Sequence, residues 1–247
     1  MAANWDFYSL LVNDKPASIF VDLDAIATAP DAALPFMAFV SLKLRHPQAD
    51  GLCGPEEYEA LNKLEDALIP ALTQDDSAFV GRCTTAGRRD FIFYLASAEE
   101  WCADVAVAMQ SFPEYNYQQG MRHEPEWPTY LEFLYPGPAD RLMIEDRRVC
   151  RALEQHGDAL QAAREVDHWT SFTDTKQRDA FVAAVAEQGF QLRQTTSQQD
   201  AALPYQVQIS RVDTPSYASI SSITLPLSEL AARYGGRYQG WGCPVVA

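Results

Sequence analysis

Hydrophobic and polar side chains alternate in two consecutive segments near the start of the chain. Residues 5–12 and 16–23 each follow a period of two, and the turn-forming residues Asn13-Asp14-Lys15 separate them. Because the side chains of a β-strand point alternately to the two faces of a sheet, this pattern predicts a β-hairpin.

Between residues 36 and 157 the apolar positions switch several times between strand and helix periodicity. Leucines at 61, 64, 68 and 72 recur at helical spacing after Pro55, and proline is favoured in the first turn of a helix. The pattern predicts strands over 36–44, 79–84 and 90–95, helices starting at Pro55 and near Ser97, a further hairpin from 115–122 and 127–135, and a helix over 138–157. This order of strand, helix, two strands, helix and strand is typical of a ferredoxin-like unit, here with additional β-hairpins.

The same order recurs after a short polar linker at residues 158–164. The pattern predicts strands over 166–172, 190–194, 205–212 and 237–246, and two helices that Gly189 and Gly235-Gly236 end. We therefore predict an α+β protein of two ferredoxin-like (βαββαβ) domains with antiparallel sheets, over residues 1–157 and 165–247.

The composition fits a folded chain of two domains. The 247 residues are 47% hydrophobic and include 12 Phe, 11 Tyr and 5 Trp, which is enough to build two cores. No apolar run approaches the roughly 20 residues that span a bilayer, so no membrane association is expected, and the first six residues do not resemble a leader peptide. The five cysteines are scattered, and no two lie closer than nineteen positions. We therefore expect reduced thiols and a cytoplasmic protein.

The excess of acidic residues lies in the first two thirds of the chain. The net charge is −15 in total, of which −13 falls on residues 1–164 and −2 on residues 165–247. Such a surface repels polyanions, so direct nucleic-acid binding is not expected. High solubility explains most of the charge, and attraction to a basic partner surface is the alternative.

One pair of carboxylates has the spacing of a phosphoryl-transfer motif. Asp22 and Asp24 follow the apolar run Ile19-Phe20-Val21, and the run resembles the first motif of haloacid-dehalogenase-type phosphatases. That chemistry needs a parallel sheet whose strand is followed by a crossover helix of a dozen or more residues. Residues 25–35, with two prolines, are all that separates Asp24 from the next predicted strand. We predict that the two aspartates are hairpin side chains and not an active site.

The other ionisable residues do not form a catalytic or metal-binding motif. We interpret the clusters Arg88-Arg89-Asp90 and Asp146-Arg147-Arg148 as solvated surface, and we find nothing apolar near Glu124 that would raise its pKa for acid catalysis. Among the four histidines only His168, in a predicted strand beside Trp169, is a candidate for a functional role. We predict no catalytic residue, no metal and no cofactor, and hence no enzyme.

A family resemblance lies in three runs near the end of the chain: Arg164 to Leu192, PYQVQISRVD and ELAARYGGRYQGWGCPVV. With the motif Tyr238-Gln239-Gly240-Trp241-Gly242, they resemble the family of regulators of ribonuclease E activity, type B. Residues 1–150, through the opening run WDFYSLLVNDKPASIFVDL, resemble a bacterial domain of unknown function (number 695). The resemblance implies a ferredoxin-like module that binds a protein and inhibits it without catalysis.

The leading hypothesis is therefore a non-catalytic cytoplasmic regulator that binds another protein, with a ribonuclease or other enzyme as its target. We predict that the contact surface is the exposed sheet face or edge near His168, Trp169, Tyr238 and Trp241, and the alternative role of these aromatic residues is core packing.

Two further hypotheses stay open at this point. The chain could be a small-molecule-binding protein or an enzyme with a pocket between its domains, lined by His123, Trp127, Tyr130 and Arg122, because such clefts are common ligand sites. It could also associate with itself through its sheet faces and form a homodimer.

Overall fold

The computed structural model describes residues 4–74, 76–198 and 202–246. The chain forms two compact units, Met1–Pro136 and Gly137–Ala247. This boundary differs from the predicted domains, 1–157 and 165–247, because the helix that follows Gly137 belongs to the second unit. The carboxylate of Asp146 on that helix accepts hydrogen bonds from Ser221, Thr224 and Trp241, which lie 75 to 95 residues further along the chain.

The first unit is a six-stranded antiparallel sheet that two α-helices cover on one face. Its elements are β1 (Trp5–Val12), β2 (Lys15–Asp22), β3 (Phe36–Lys43), α1 (Pro55–Leu72), β4 (Ser77–Thr85), β5 (Arg88–Leu95), α2 (Trp101–Met109) and β6 (Tyr117–His123), with a 3-10 turn at Ala25–Ala27 and a π-helix at Thr129–Leu134. The strand order is β1-β2-β4-β5-β3-β6. Strands β3 to β6 with α1 and α2 have the ferredoxin-like arrangement, and the predicted β1–β2 hairpin extends the sheet at β4.

The helix-covered face of this sheet holds the main core of the first unit. Leu61, Leu64, Leu68 and Leu72 of α1 are buried against β3, β4 and β5, as their spacing predicted. The two aspartates of the opening motif lie outside this core. Asp22 ends β2, and its Oδ1 accepts a hydrogen bond from the backbone N–H of Asp24 at 2.9 Å. An antiparallel hairpin, and not a parallel sheet, presents them.

The prediction of a second hairpin at residues 127–135 was wrong, because this segment forms the π-helix. The buried carboxylate of Glu124 fixes its start by accepting hydrogen bonds from the Thr129 backbone N–H at 2.8 Å and from the Tyr94 hydroxyl at 2.7 Å. Trp127 adopts a positive φ of 52°, and its indole stacks on Tyr94 with ring centroids 3.8 Å apart. A contact with β5 therefore decides the conformation of this segment, and periodicity along the sequence does not show it.

The second unit is a four-stranded antiparallel sheet with three helices. Its elements are α3 (Pro138–Gln155), β7 (Arg164–Phe172), α4 (Thr175–Ala186), β8 (Gln191–Ser197), β9 (Tyr205–Asp213), α5 (Ser221–Arg233) and β10 (Gly236–Gly242). The order β10-β7-β9-β8 is the ferredoxin-like order, and α3 is an addition before it. The α+β class and both ferredoxin-like domains are thus confirmed. None of the described helices is both long and apolar enough to cross a membrane.

Candidate functional site

A β-bulge in β10 sets the positions of the aromatic residues near the end of the chain. Tyr238 pairs with Thr170 of β7 and Gly240 pairs with Trp169, so Gln239 is the extra residue. Gly240 has a φ of 130°, a backbone conformation that residues with a Cβ rarely adopt. Because of the extra residue, Tyr238 and Trp241 both pack on the helix-covered side of the sheet.

His168 of β7 lies next to this aromatic pair: it contacts Tyr238 and is opposite Trp241 in the strand register. Its Nδ1 is 2.7 Å from the Tyr238 hydroxyl oxygen, and its ring meets Phe190 edge to face at 5.6 Å between centroids. The side chain is 0% exposed, and its Nε2 has no hydrogen-bond partner among the described residues. Burial lowers the pKa of His168 to about 4, so the imidazole is neutral at pH 7. Burial also raises the pKa of Tyr238, which stays protonated.

Trp241 is tied to α3 through a buried carboxylate. Its indole Nε1 donates a hydrogen bond to Oδ1 of Asp146 at 2.9 Å, while Ser221 and Thr224 of α5 donate to Oδ2 at 2.9 and 2.6 Å. Burial raises the pKa of Asp146, and these three donors act in the opposite direction. The carboxylate therefore joins α3, α5 and β10, and it holds α3 beside the edge of the sheet.

A groove of about 460 Å³ lies between α3 and β10. Trp169 reaches it from the other face of β7 and lies beside Gly242 of β10, where an added Cβ would be 3.5 Å from Cζ3 of the indole. Apolar and aromatic side chains form most of the wall, and charged side chains stand beside them. The lining includes Leu142, Val149, Trp169, Tyr238, Trp241, Arg141, Glu145 and Arg237.

The structure brings the four predicted site residues together. Trp169, Tyr238 and Trp241 line the groove, and His168 lies behind Tyr238 as a buried support. Trp241 is only 6% exposed and also belongs to the core, whereas Trp169 and Tyr238 are partly exposed.

Sequence reasoning missed Asp146 and misjudged both charge clusters. Asp146 is 1% exposed and Arg89 is buried, where it pairs with Glu65 at 3.2 Å, so neither cluster is simply solvated surface. A signal was present for Asp146, since it lies four and seven residues before the buried Cys150 and Leu153, on the apolar stripe of α3.

Two of the four residues predicted to line a pocket between the domains are buried in the first unit. Tyr130 is fully buried in the first unit, where its hydroxyl donates a hydrogen bond to the Asp22 carbonyl at 2.7 Å. Trp127 is buried against Tyr94. Both are core residues, and this part of the second hypothesis was wrong. Arg122 and His123 lie on the exposed edge strand β6.

No cluster of three or more His, Cys, Asp or Glu side chains that could hold a metal ion occurs in the described parts of the chain. Two buried ionisable groups lie next to the groove: His168 is neutral, and Asp146 already accepts three hydrogen bonds. The arrangement suits the burial of an apolar or aromatic side chain from a partner better than it suits proton transfer.

Comparison with known families divides the chain in the same way as the structure. Residues 3–135 match a family of unknown function (DUF695), and residues 143–243 match the family described as "Regulator of ribonuclease activity B". The first match spans more than half of the chain, so the chain belongs to the DUF695 family. Its second unit carries the domain of the ribonuclease regulators, and the predicted tandem is confirmed.

Two solved structures that match the chain are only remotely similar to it. A crystal structure of an unknown protein from Galdieria sulphuraria is 12% identical, with a TM-score of 0.22, and the match covers 83% of this chain and 95% of the other. A "putative glycine cleavage system transcriptional repressor" is 10% identical, with a TM-score of 0.24 and coverages of 83% and 96%. Neither likeness carries a conclusion about function. No curated protein matches the chain.

Proposed function

We propose that the protein is a non-catalytic regulator that binds a ribonuclease and lowers its activity, and that the groove between α3 and β10 is its contact surface. The match of residues 143–243 to the ribonuclease regulators carries this proposal. That match includes the whole of β10, the strand that supplies Tyr238 and Trp241.

The chemistry of the groove supports a protein partner. Partly exposed Trp and Tyr side chains beside arginine are the residues that contribute most to protein interfaces. Trp169, Tyr238 and Arg237 form such a set at one edge of the sheet. An apolar side chain of the partner, placed against Trp169, would displace water from the indole.

The state of the ionisable groups supports binding without catalysis. A general base must reach the proton that it removes, and the imidazole of His168 is fully buried. The carboxylate of Asp146 already accepts three hydrogen bonds. The five cysteines are free thiols, which supports the proposed cytoplasmic location.

A cleavage assay with purified ribonuclease E and a fluorogenic RNA tests this function. We expect the initial rate to fall as the full chain is added and to reach a plateau near one chain per ribonuclease subunit. The chain alone should leave the RNA intact over the same period. Cleavage of the RNA by the chain, or an unchanged rate at a tenfold molar excess, would refute the proposal. Light scattering on the same sample reports whether the chain is a monomer or a homodimer.

A further inference from the structure

The first unit contains a second groove, on the face of its sheet opposite α1 and α2. The volume of this groove is about 720 Å³, within the range of roughly 300–1,000 Å³ that is common for small-molecule sites. Strands β3, β5 and β6 form its floor, and Thr129, Glu132 and Phe133 of the π-helix form part of its wall. Single turns of π-helix occur frequently at functional sites.

The register of the strands places the floor residues in rows. Gln118, Ser41 and Asp90 lie side by side in one row across β6, β3 and β5, and Gly120, Phe39 and Ile92 form the next row. Rows two residues apart along a strand are separated by roughly 7 Å. The floor therefore changes from polar to apolar over roughly 7 Å.

Gly120 makes the apolar row possible. A Cβ at this position would lie 2.8 Å from Cε1 of Phe39, so only glycine leaves room for the aromatic ring over β6. Phe39 is partly exposed in the groove, and Phe133 on the wall is 37% exposed. These side chains offer an apolar surface to a ligand.

Asp90 provides the polar end of the groove. Its Oδ1 is buried and accepts no hydrogen bond from any described residue. Burying such an acceptor without a donor is unfavourable. Burial raises the pKa of Asp90, while Ser41 and Arg88 act in the opposite direction. The carboxylate as a whole is partly exposed in the groove, so a ligand ammonium group placed against it would form a charge-assisted hydrogen bond.

The charges around the groove favour a cation over an anion. Residues 1–136 contain 8 Lys/Arg against 21 Asp/Glu, a net charge of −13, which attracts cations. Of the two arginines in the lining, Arg122 pairs with Glu124 at 2.6 Å. Arg88 lies on β5 two residues before Asp90, and Glu132 stands on the wall.

We propose that this groove binds a small amphipathic amine, with its ammonium group on Asp90 and its apolar body on Phe39 and Ile92. The two parts of such a ligand would be separated by roughly 7 Å, the distance between the two rows. This site is independent of the groove in the second unit and of the regulation of a ribonuclease.

An NMR titration of the full chain with n-hexylammonium, hexan-1-ol and hexanoate tests the proposal. The shifts of the backbone amide signals report where and how tightly each compound binds. We expect hexylammonium to shift the amides around Phe39, Asp90 and Ile92, and to bind at least tenfold more tightly than hexanoate. Asp90→Asn should weaken hexylammonium binding about tenfold and leave hexanol binding unchanged. The control Asp66→Asn, an exposed carboxylate on α1, should change neither.

A second variant keeps the test decisive if Asp90→Asn does not fold. Arg88→Gln removes an exposed cation that competes for Asp90, so we expect hexylammonium to bind more tightly to this variant. The proposal would be overturned by equal affinities for hexylammonium and hexanoate, or by shifts that map outside the groove. It would also be overturned by an unchanged hexylammonium affinity in Arg88→Gln, or by no binding at all.

Discussion

The Nδ1 atom of His168 lies 2.7 Å from the hydroxyl oxygen of Tyr238, and the imidazole is fully buried. Because burial lowers the pKa of His168 to about 4, the folded protein keeps this ring neutral at pH values where an unfolded chain, with a His pKa of about 6.5, takes up a proton. The unfolded state then binds more protons, and folding loses stability as the pH falls from about 6.5 towards 4.

We therefore predict that acidification from pH 7 to pH 5 lowers the free energy of unfolding by about 2 kcal/mol through His168 alone. Urea denaturation at the two pH values measures this change. In His168→Asn, whose amide can still bond Tyr238, the free energy of unfolding should change less between the two pH values, by that same amount. In the control His46→Asn, which replaces an exposed histidine, the change in the free energy of unfolding should stay as in the unmodified chain. An equal pH dependence in both variants would contradict the assignment.

A second prediction concerns the hydrogen bond between Trp241 and Asp146. Trp241→Phe keeps an aromatic ring at the edge of the sheet but leaves Oδ1 of the buried carboxylate without its donor. We expect a loss of roughly 1–3 kcal/mol in the free energy of unfolding, since an unpaired buried acceptor has a cost of this size. Chemical denaturation checks it. If Trp241→Phe lowers the free energy of unfolding no more than Tyr217→Phe, a change at an exposed residue, the hydrogen bond to Asp146 is unimportant for stability.

The bulge in β10 gives a third prediction. Gly240→Ala introduces a side chain at a φ of 130°, where the surrounding space is open and the cost is purely conformational. We expect a destabilisation of roughly 1–3 kcal/mol. Gly242→Ala is the matched control, because its new methyl group would make an ordinary contact with Trp169 at 3.5 Å. The melting temperature should fall clearly in Gly240→Ala and little in Gly242→Ala, and the reverse order would contradict the role of the bulge.

Glu124 of the first unit gives a fourth prediction. Burial would raise the pKa of this carboxyl, but hydrogen bonds from Tyr94, Thr129 and Arg122 outweigh it, and the pKa is lowered. The ionised form therefore stabilises the fold above the ordinary pKa of about 4.3, and this contribution is lost as the pH falls below it.

In Glu124→Gln we expect the start of the π-helix to loosen, because the amide cannot accept all the hydrogen bonds that the carboxylate does. Amide hydrogen exchange should then increase at residues 129–134. A matched control is Glu132→Gln on the exposed side of the same helix. Equal protection of residues 129–134 in both variants would show that Glu124 does not hold this segment.

The sequence predicted both ferredoxin-like sheets because their strands and helices have strong local periodicity. It also placed Trp169, Tyr238 and Trp241 in one region, because β7 and β10 are neighbours in that fold. Side-chain hydrogen bonds were not predictable from periodicity. The bond from Thr129 to Glu124 favours a π-helix over a strand.

The predicted domain bounds, 1–157 and 165–247, differ from the two compact units for the same physical reason. Helix α3 follows the first unit in the chain, yet its buried Asp146 bonds α5 and β10. A single sequence gives no sign of which partners a buried carboxylate will find. The apolar stripe on which Asp146 lies does show that it faces inward.

We propose that the protein inhibits a ribonuclease through the groove beside Trp169. The most direct measurement is the inhibition of ribonuclease E by Trp169→Ala, compared with Tyr58→Ala, which removes an exposed aromatic side chain from α1 of the first unit. We predict that Trp169→Ala melts within a few degrees of the unmodified chain and needs at least tenfold more protein for half-inhibition, while Tyr58→Ala inhibits as before. Unchanged inhibition by folded Trp169→Ala would contradict the claim.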